Sequence, residues 1–427
     1  MLTIALLLCA FASLERRSPT PSSRLWLAGW LLVLLHFIAS IFHRTPGIWG
    51  PLAFIVQSAM SSGAGFLFMY AAIPDRRQLS SRWFFGLLMA TSTLYIAIVR
   101  LAPGENWMLT AAAALFGLAP LAFMLIARRR NHSSHLWILV LIFCALSIFL
   151  LNFQNKPGYG VGSDALVARH TVGFAIFFSC FVLVTYTYHR ASAGAFITIS
   201  GFFLWAASFI VMPLIRAHLP QIHIETEVGD LPKFIVAAGM LLILLEDQIE
   251  HNKFLALHDV LTGLPNRRLF QDRLSNTLIR ARRNQTQAAL LLIDMNHFKE
   301  VNDSFGHHIG DLLLQQVGSK FAERIRRSDT VARTGGDEFS VILDEPTSRT
   351  DAMHVSQDLL ELLKEPFLLD GREVQAGASI GIAIFPGDAS DTESLCVAAD
   401  QKMYIEKKGL AVQNSVEIAP TSDVLRQ

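Results

Sequence analysis

The pattern of apolar and polar positions changes character once along the chain. Up to about residue 245, apolar residues run in long stretches with no polar face. Beyond it they recur at every second or every third to fourth position. The first regime suits helices solvated by lipid, since a spanning helix needs ~20 mostly apolar residues. Candidate spans run roughly over 25–42, 48–73, 83–101, 107–126, 136–153, 171–188, 195–215 and 232–245. The opening 1–14 is apolar but short: a ninth span, or the hydrophobic core of a signal peptide. No basic residue precedes it and no convincing small-residue cleavage site follows, which favours a retained helix. The expectation is a multi-pass α-helical membrane domain of eight or nine helices over 1–245.

Basic residues in short loops set orientation. Arg16, Arg17 and Arg24 share the first loop, Arg76, Arg77 and Arg82 the third, and Arg128, Arg129 and Arg130 the fifth. The intervening loops hold Arg44, Arg100 at a helix edge, and Lys156 with Arg169. The loop 216–233 adds Glu225, Glu227 and Asp230 and reads as external. With the first loop inside, the chain after Leu245 lies in the cytoplasm, where nucleoside triphosphates are available. Ser62, Gly63, Ala64 and Gly65 within the second span read as residues that let helices approach closely. His36 lies within a span with no evident partner, and His170 at a span edge. No charged pair crosses the bilayer centre, so a transporter reading is weak and a sensory or anchoring role is preferred.

The second regime reads as one α/β domain. The stretch 246–258 continues the last span as a polar helical linker, too short for coiled-coil evidence; 259–415 forms the domain and 416–427 a tail. The apolar run 289–295 ends in an acid and predicts a strand buried on both faces. Leu313, Val317, Phe321 and Ile325 recur every four residues and predict a helix over 311–326. Strand-like 330–333 and 339–343 flank Gly335 and Gly336, the signal for a tight hairpin whose type I′ turn takes positive φ at both central positions. Helices over 352–363 and 395–408 and a strand over 379–385 complete an alternation that predicts a mixed sheet covered by helices.

A net charge of +1 argues against a nucleic-acid surface. The four cysteines, Cys9, Cys144, Cys180 and Cys396, form no C-x-x-C pair and suggest neither a disulfide framework nor a zinc site. Asp337 and Glu338 are more pointed: like charges follow the most flexible dipeptide of the chain, at a hairpin tip. Asp294 closes the central strand, and α/β folds bind ligands beyond strand ends. If the hairpin pairs beside that strand, Asp294 and Asp337 converge. Two carboxylates with a backbone carbonyl suit Mg²⁺ shared with phosphates, so repulsion becomes tolerable when a cation is what the acids are for.

Five blocks in order, DVLTGLPNRRLF (259–270), IDMNHFKEVNDSFGHHIGD (293–311), RRSDTVARTGGDEF (326–339), SIGIA (379–383) and ADQKMYIEK (399–407), resemble the bacterial GGDEF domains, or diguanylate cyclases. The resemblance implies a fold akin to polymerase palms and nucleotidyl cyclases, and condensation of two GTP into cyclic di-GMP with loss of two pyrophosphates. It implies that Asp294, the Met295 carbonyl and Asp337 hold two Mg²⁺, or Mn²⁺ in their place. Asn302 and Asp311 read guanine, whose N1–H and N2–H donors one carboxylate accepts together; adenine would leave that carboxylate unpaired. Backbone N–H groups near His297 and Phe298, with Lys299 and Lys407, cradle phosphate, and His307 contacts substrate. By the same resemblance Glu338 would take the proton of the attacking 3′-hydroxyl, beside a metal-binding Asp337. Arg326 and Asp329 match the RxxD site at which product inhibits.

One GTP per domain and a product of two reciprocal attacks imply a two-fold homodimer. The expected setting is the bacterial inner membrane, with the GGDEF domain cytoplasmic and the membrane half supplying the signal. Asn296 stands where the family more often has Asp. After Lys407 the chain is one residue shorter than usual and lacks a basic residue, which removes one phosphate contact. No phosphodiesterase segment of the EAL or HD type follows. The rival reading is a receptor that binds GTP or cyclic di-GMP without turnover.

Overall fold

A computed structural model describes residues 2–17, 20–42, 45–73, 79–101, 106–127, 134–154, 161–188, 192–219, 221, 228–345 and 348–417. The chain divides into two compact units, Met1–Ile249 and Glu250–Gln427.

Among the described residues the first unit is helical: α1 (Leu2–Arg17), α2 (Pro21–Ile41), α3 (Trp49–Ala72), α4 (Leu79–Leu101), α5 (Asn106–Ala127), α6 (Ser134–Gln154), α7 (Val161–Thr187), α8 (Ala193–His218) and α9 (Leu231–Leu257). Six of these carry segments long and apolar enough to cross a membrane: Ser22–Ile41, Trp49–Ala72, Arg82–Leu101, Trp107–Leu125, Val167–Thr187 and Ala193–Ile215. The eight or nine expected spans are therefore six by this measure among the described residues. The helix α1 has 16 residues and the apolar part of α6 is the shorter Leu136–Asn152. In α9, Lys233 and Glu246 bracket an uncharged run too short to span alone. The arginine clusters at 76–77 and 128–130 lie outside the described residues, as do Arg44 and Lys156.

The unit packs around aromatic rings. Phe177 stacks on Trp205 with centroids 3.8 Å apart, and Phe116 meets Phe143 at 4.9 Å. The small-residue run of α3 is buried, and a Cβ on Gly65 would meet Ile176 Cγ2 at 2.1 Å, so these residues do let α3 and α7 approach. His36 is not partnerless: its Nδ1 donates to the Gln57 carbonyl at 2.9 Å.

In the second unit, α10 (Arg267–Asn284), β1 (Ala288–Asn296), α11 (Phe298–Phe305), α12 (His307–Arg324), β2 (Thr330–Arg333), β3 (Glu338–Asp344), α13 (Arg349–Lys364), β4 (Phe367–Leu369), β5 (Arg372–Val374), β6 (Gly377–Phe385) and α14 (Thr392–Glu417) follow in order. The main sheet runs β2-β3-β1-β6, and β4 pairs with β5 apart from it. All these pairings are antiparallel, in a sheet expected to be mixed. The reason is topological. The strands β1 and β2 run the same way, but the hairpin folds β3 between them, and β1 likewise separates β3 from β6. No like-directed strands become neighbours.

Side chains alternate across β1. Leu291 and Ile293 face a core with Phe321, Val317, Phe339 and Leu359 from α12, β3 and α13. Leu290 faces another with Phe270, Leu274, Ile342 and Leu395, under α10 and α14. The sheet is therefore covered on both faces. The edge strand β6 is closed by α14: Ile380 N–H donates to Glu406 Oε2 at 2.9 Å, and Lys402 Nζ donates to the Ile382 carbonyl at 2.9 Å. Those bonds satisfy an otherwise open strand edge and lay α14 alongside the end of β1.

Candidate active site

The hairpin does pair beside the central strand. Asp294 lies opposite Glu338 on β3, and Met295 N–H donates to the Asp337 carbonyl at 3.1 Å. The acids at the tip and the acid at the strand end therefore meet at one edge of the sheet. The turn is not the type I′ form, because neither Gly335 nor Gly336 has positive φ. The strands end at Arg333 and Glu338, which leaves a wider loop whose Thr334 and Gly335 N–H groups both reach the Glu338 carbonyl, at 3.0 and 3.4 Å. Gly335 serves another purpose. A Cβ there would meet Glu338 Oε2 at 2.4 Å, so the absent side chain makes room for the acid to fold back over the turn.

Arg333 holds that turn, and sequence reasoning did not single it out. Its guanidinium donates twice to the Gly336 carbonyl, at 3.1 and 2.6 Å, and once to Asp259 Oδ1 at 2.9 Å. Asp259 also accepts from the N–H and Oγ1 of Thr262, at 2.9 and 2.7 Å. Burial works to raise the Asp259 pKa, but the bonds from Thr262 and Arg333 outweigh it and hold it below the usual carboxylate range. The blocks at 259–270 and 326–339 are thereby one structure. The available signal was the pairing of a half-buried acid with an arginine next to the turn, which no spacing reveals.

The phosphate-side residues gather where β1 enters α11. His297 has φ +57° and turns the chain sharply, and its Nδ1 pairs with Glu300 at 2.7 Å. No side chain caps α11, so the N–H groups of its first turn, starting at Phe298, point outward without side-chain acceptors. Lys299 is exposed beside them. Lys407 reaches in from α14 and binds Asp294 Oδ1 at 2.6 Å, with the Asp294 side chain only 13% exposed. The lysine expected on phosphate thus pairs with the acid expected to bind the cation.

The guanine-side pair lies across the α11–α12 corner. Asn302 is half-buried on α11, with Oδ1 packed on Gly310, where a Cβ would stand 2.0 Å from it. Asp311, next in sequence, is exposed on α12, and His307 is exposed at that helix's start. The helix begins at His307, four residues before the expected start. Arg326 and Asp329 close a turn before β2 through Asp329 N–H to the Arg326 carbonyl, 3.0 Å. The Asp329 carboxylate already accepts from Asp344 N–H at 3.1 Å, while the Arg326 side chain is exposed.

Among the described residues no group of three His, Cys, Asp or Glu side chains is arranged to hold a metal. Asp294 and Asp337 with one carbonyl still fit a hard divalent cation that takes its remaining oxygens from phosphate and water. Such an ion, when bound, would stabilise an attacking alkoxide and a leaving pyrophosphate.

Residues 256–411 match the family model described as diguanylate cyclase, GGDEF domain. Among relatives, the bifunctional diguanylate cyclase/cyclic di-GMP phosphodiesterase MucR of Pseudomonas aeruginosa is 44% identical over 153 residues, 36% of this chain and 22% of that protein. Diguanylate cyclase TpbB of the same organism is 40% identical over 165 residues, 38% of each. The solved GGDEF domain of TpbB is 41% identical, covering 36% of this chain and 89% of that one, with a TM-score of 0.35. This chain thus spans less than two-fifths of the length of these two curated relatives. Its second unit is a GGDEF domain, preceded by a helical region with six candidate membrane helices.

Proposed function

We propose that the chain is a membrane-bound diguanylate cyclase, condensing two GTP to cyclic di-GMP and two pyrophosphates. The observation that supports this best is the meeting of Asp294 on β1 with Asp337 and Glu338 on the adjoining hairpin. In this reading Asp294, the Met295 carbonyl and Asp337 hold Mg²⁺, and the α11 N–H groups with Lys299 and Lys407 receive the triphosphate. Asn302 and Asp311, with His307, position guanine; Glu338 accepts the proton of the 3′-hydroxyl. Lys407 has to leave Asp294 for phosphate, so substrate and cation arrive together. Since one site holds one nucleotide, turnover needs two copies face to face, aligned by a signal passing along α9. The setting is the inner membrane with the GGDEF domain in the cytoplasm.

The test incubates the purified full chain in detergent with GTP and Mg²⁺ and looks for cyclic di-GMP and pyrophosphate. Asp337→Ala should abolish both. Nucleotide bound without turnover by the wild type would sink the enzyme and leave the receptor, a reading favoured by Lys407 sitting on Asp294. Product inhibition through Arg326 and Asp329 is part of the proposal. Arg326→Ala should raise the cyclic di-GMP concentration at which synthesis stalls, and an unchanged stall point would refute that site.

A further inference from the structure

A polar cluster lies inside the first unit, near the end at which α9 begins, and the cyclase reading does not use it. Arg100, in the last turn of α4, holds its guanidinium carbon 5.6 Å from the centre of the Phe54 ring on α3. Arg169 of α7 lies 5.8 Å from the same ring. Lys233 of α9 is buried over Phe37 at 4.5 Å and near Trp205 at 5.8 Å, and pairs with Asp230. The charges of Lys233 and Arg169 also act on His36, whose Nδ1 is committed to the Gln57 carbonyl. Five helices thus bring three cations and an imidazole together, with Asp230 paired to Lys233.

Two buried polar atoms in this cluster have no hydrogen-bond partner: Arg100 Nε and Gln57 Oε1. Arg100 lies over Phe54, and Gln57 follows Phe54 by about one helical turn along α3. An unsatisfied buried polar atom is costly, and ionisable side chains inside a membrane helix bundle are expensive enough to imply use. Their demands differ. Arg100 Nε needs an acceptor, best an anionic one, since aromatic rings compensate the guanidinium only in part. Gln57 Oε1 needs a donor. A carboxylate or sulfate supplies the first alone; a phosphate bearing a hydroxyl supplies both.

We infer that this end of the helical unit binds a hydroxyl-bearing phosphate, with Arg100 and Lys233 facing the charge and Gln57 accepting from the hydroxyl. Hydrogen phosphate in solution and the phosphoglycerol headgroup of a lipid share this chemistry. The inference stands apart from the cyclase reading, because it is tested by binding and not by product.

The test uses the full chain and follows thermal unfolding with tryptophan emission, Trp205 lying beside Lys233. In one arm, inorganic phosphate is titrated into the detergent-solubilised protein. In the other, phosphatidylglycerol replaces phosphatidylcholine stepwise in nanodiscs without free phosphate. A saturable response in the first arm identifies free phosphate, and one confined to the second identifies the headgroup. Arg100→Gln should weaken the response about tenfold or more. Gln57→Leu, which keeps the helix and removes the acceptor, should weaken it too and serves if the arginine variant does not fold. Arg82→Gln, whose Nε contacts Tyr70 at the opposite end of α3, should leave it unchanged. No saturable response in either arm, or one that Arg100→Gln and Gln57→Leu leave intact, overturns the site.

Discussion

The two units bury the same kinds of residue under opposite rules. In the second, position within a strand or helix says which way an apolar side chain points: along β1, Ala289, Leu291 and Ile293 are wholly buried, and the strand turns polar at its C-terminal end with Asp294 and Asn296. In the first, Phe116 is fully buried while Phe196 is 73% exposed and Leu141 67%, in helices that are apolar on every side. In the proposed membrane setting lipid, as apolar as a protein core, would make exposure there cost little. What separates inside from outside in that unit is the placement of small and polar groups: Gly65 against Ile176, Ser147 Oγ donating to the Ala113 carbonyl at 2.5 Å, and Lys233 over Phe37.

The largest effect that tests this contrast comes from paired truncations. Phe339 has no exposure and packs edge-on to Phe321, with ring centroids 5.6 Å apart. Phe339→Ala should destabilise the second unit by about 3–5 kcal/mol, the transfer and cavity terms adding. Phe196→Ala, on a surface that the membrane reading leaves to lipid or detergent, should stay within about 0.5 kcal/mol. Denaturant unfolding of the full chain in micelles, read by probes in each unit, measures both. Similar losses at the two positions would mean that Phe196 is covered by protein, and the contrast fails.

A medium effect tests the corner that holds the guanine-side residues. Gly310→Ala sets a Cβ against Asn302 Oδ1, so the carboxamide must move or the α11–α12 corner must open. Forcing an extra carbon into a packed contact costs about 1–3 kcal/mol. GTP affinity should fall about tenfold or more, and the second unit's melting midpoint should drop by the several degrees that such a cost implies. Unaltered affinity would show that Asn302 does not need that position.

How much of this was legible in the sequence follows from the same contrast. The strand 289–295, the helices and the antiparallel hairpin carried periodic signals that tertiary packing then agreed with. The type I′ turn did not form, because Gly-Gly signals permission for positive φ and not its use; the fold used Gly335 to admit the Glu338 side chain instead. The bracing of the turn by Arg333 and Asp259, 74 residues apart, has no local pattern at all. In the first unit the helices were plain, but their partners were not. His36 seemed unpaired because its acceptor is a backbone carbonyl on another helix, and carbonyls leave no trace in composition.

The smallest effect separates the units by acid. Asp388 gathers both oxygens onto Arg349 at 2.7 and 2.6 Å, and also accepts from Lys402 Nζ at 2.9 Å and Ile384 N–H at 2.8 Å. Burial opposes ionisation, yet these donors outweigh it and bring the carboxyl down to about 2. In the unfolded chain the same group titrates near ~3.9. The folded state therefore binds this proton more weakly, so the contribution is complete above the unfolded value and disappears as pH falls through about 2. Solvent reaches the cluster, so its worth is on the order of 1 kcal/mol. Asp388→Asn should cost that amount at pH 7, with the difference from wild type shrinking between pH ~4 and ~2. The first unit is poor in acids, so its transition should move less over the same range. Unfolding each unit at successive pH values measures both slopes. A mutant gap that stays constant down to pH ~2 would mean that Asp388 stabilises by shape alone, and that charge does not distinguish the two halves.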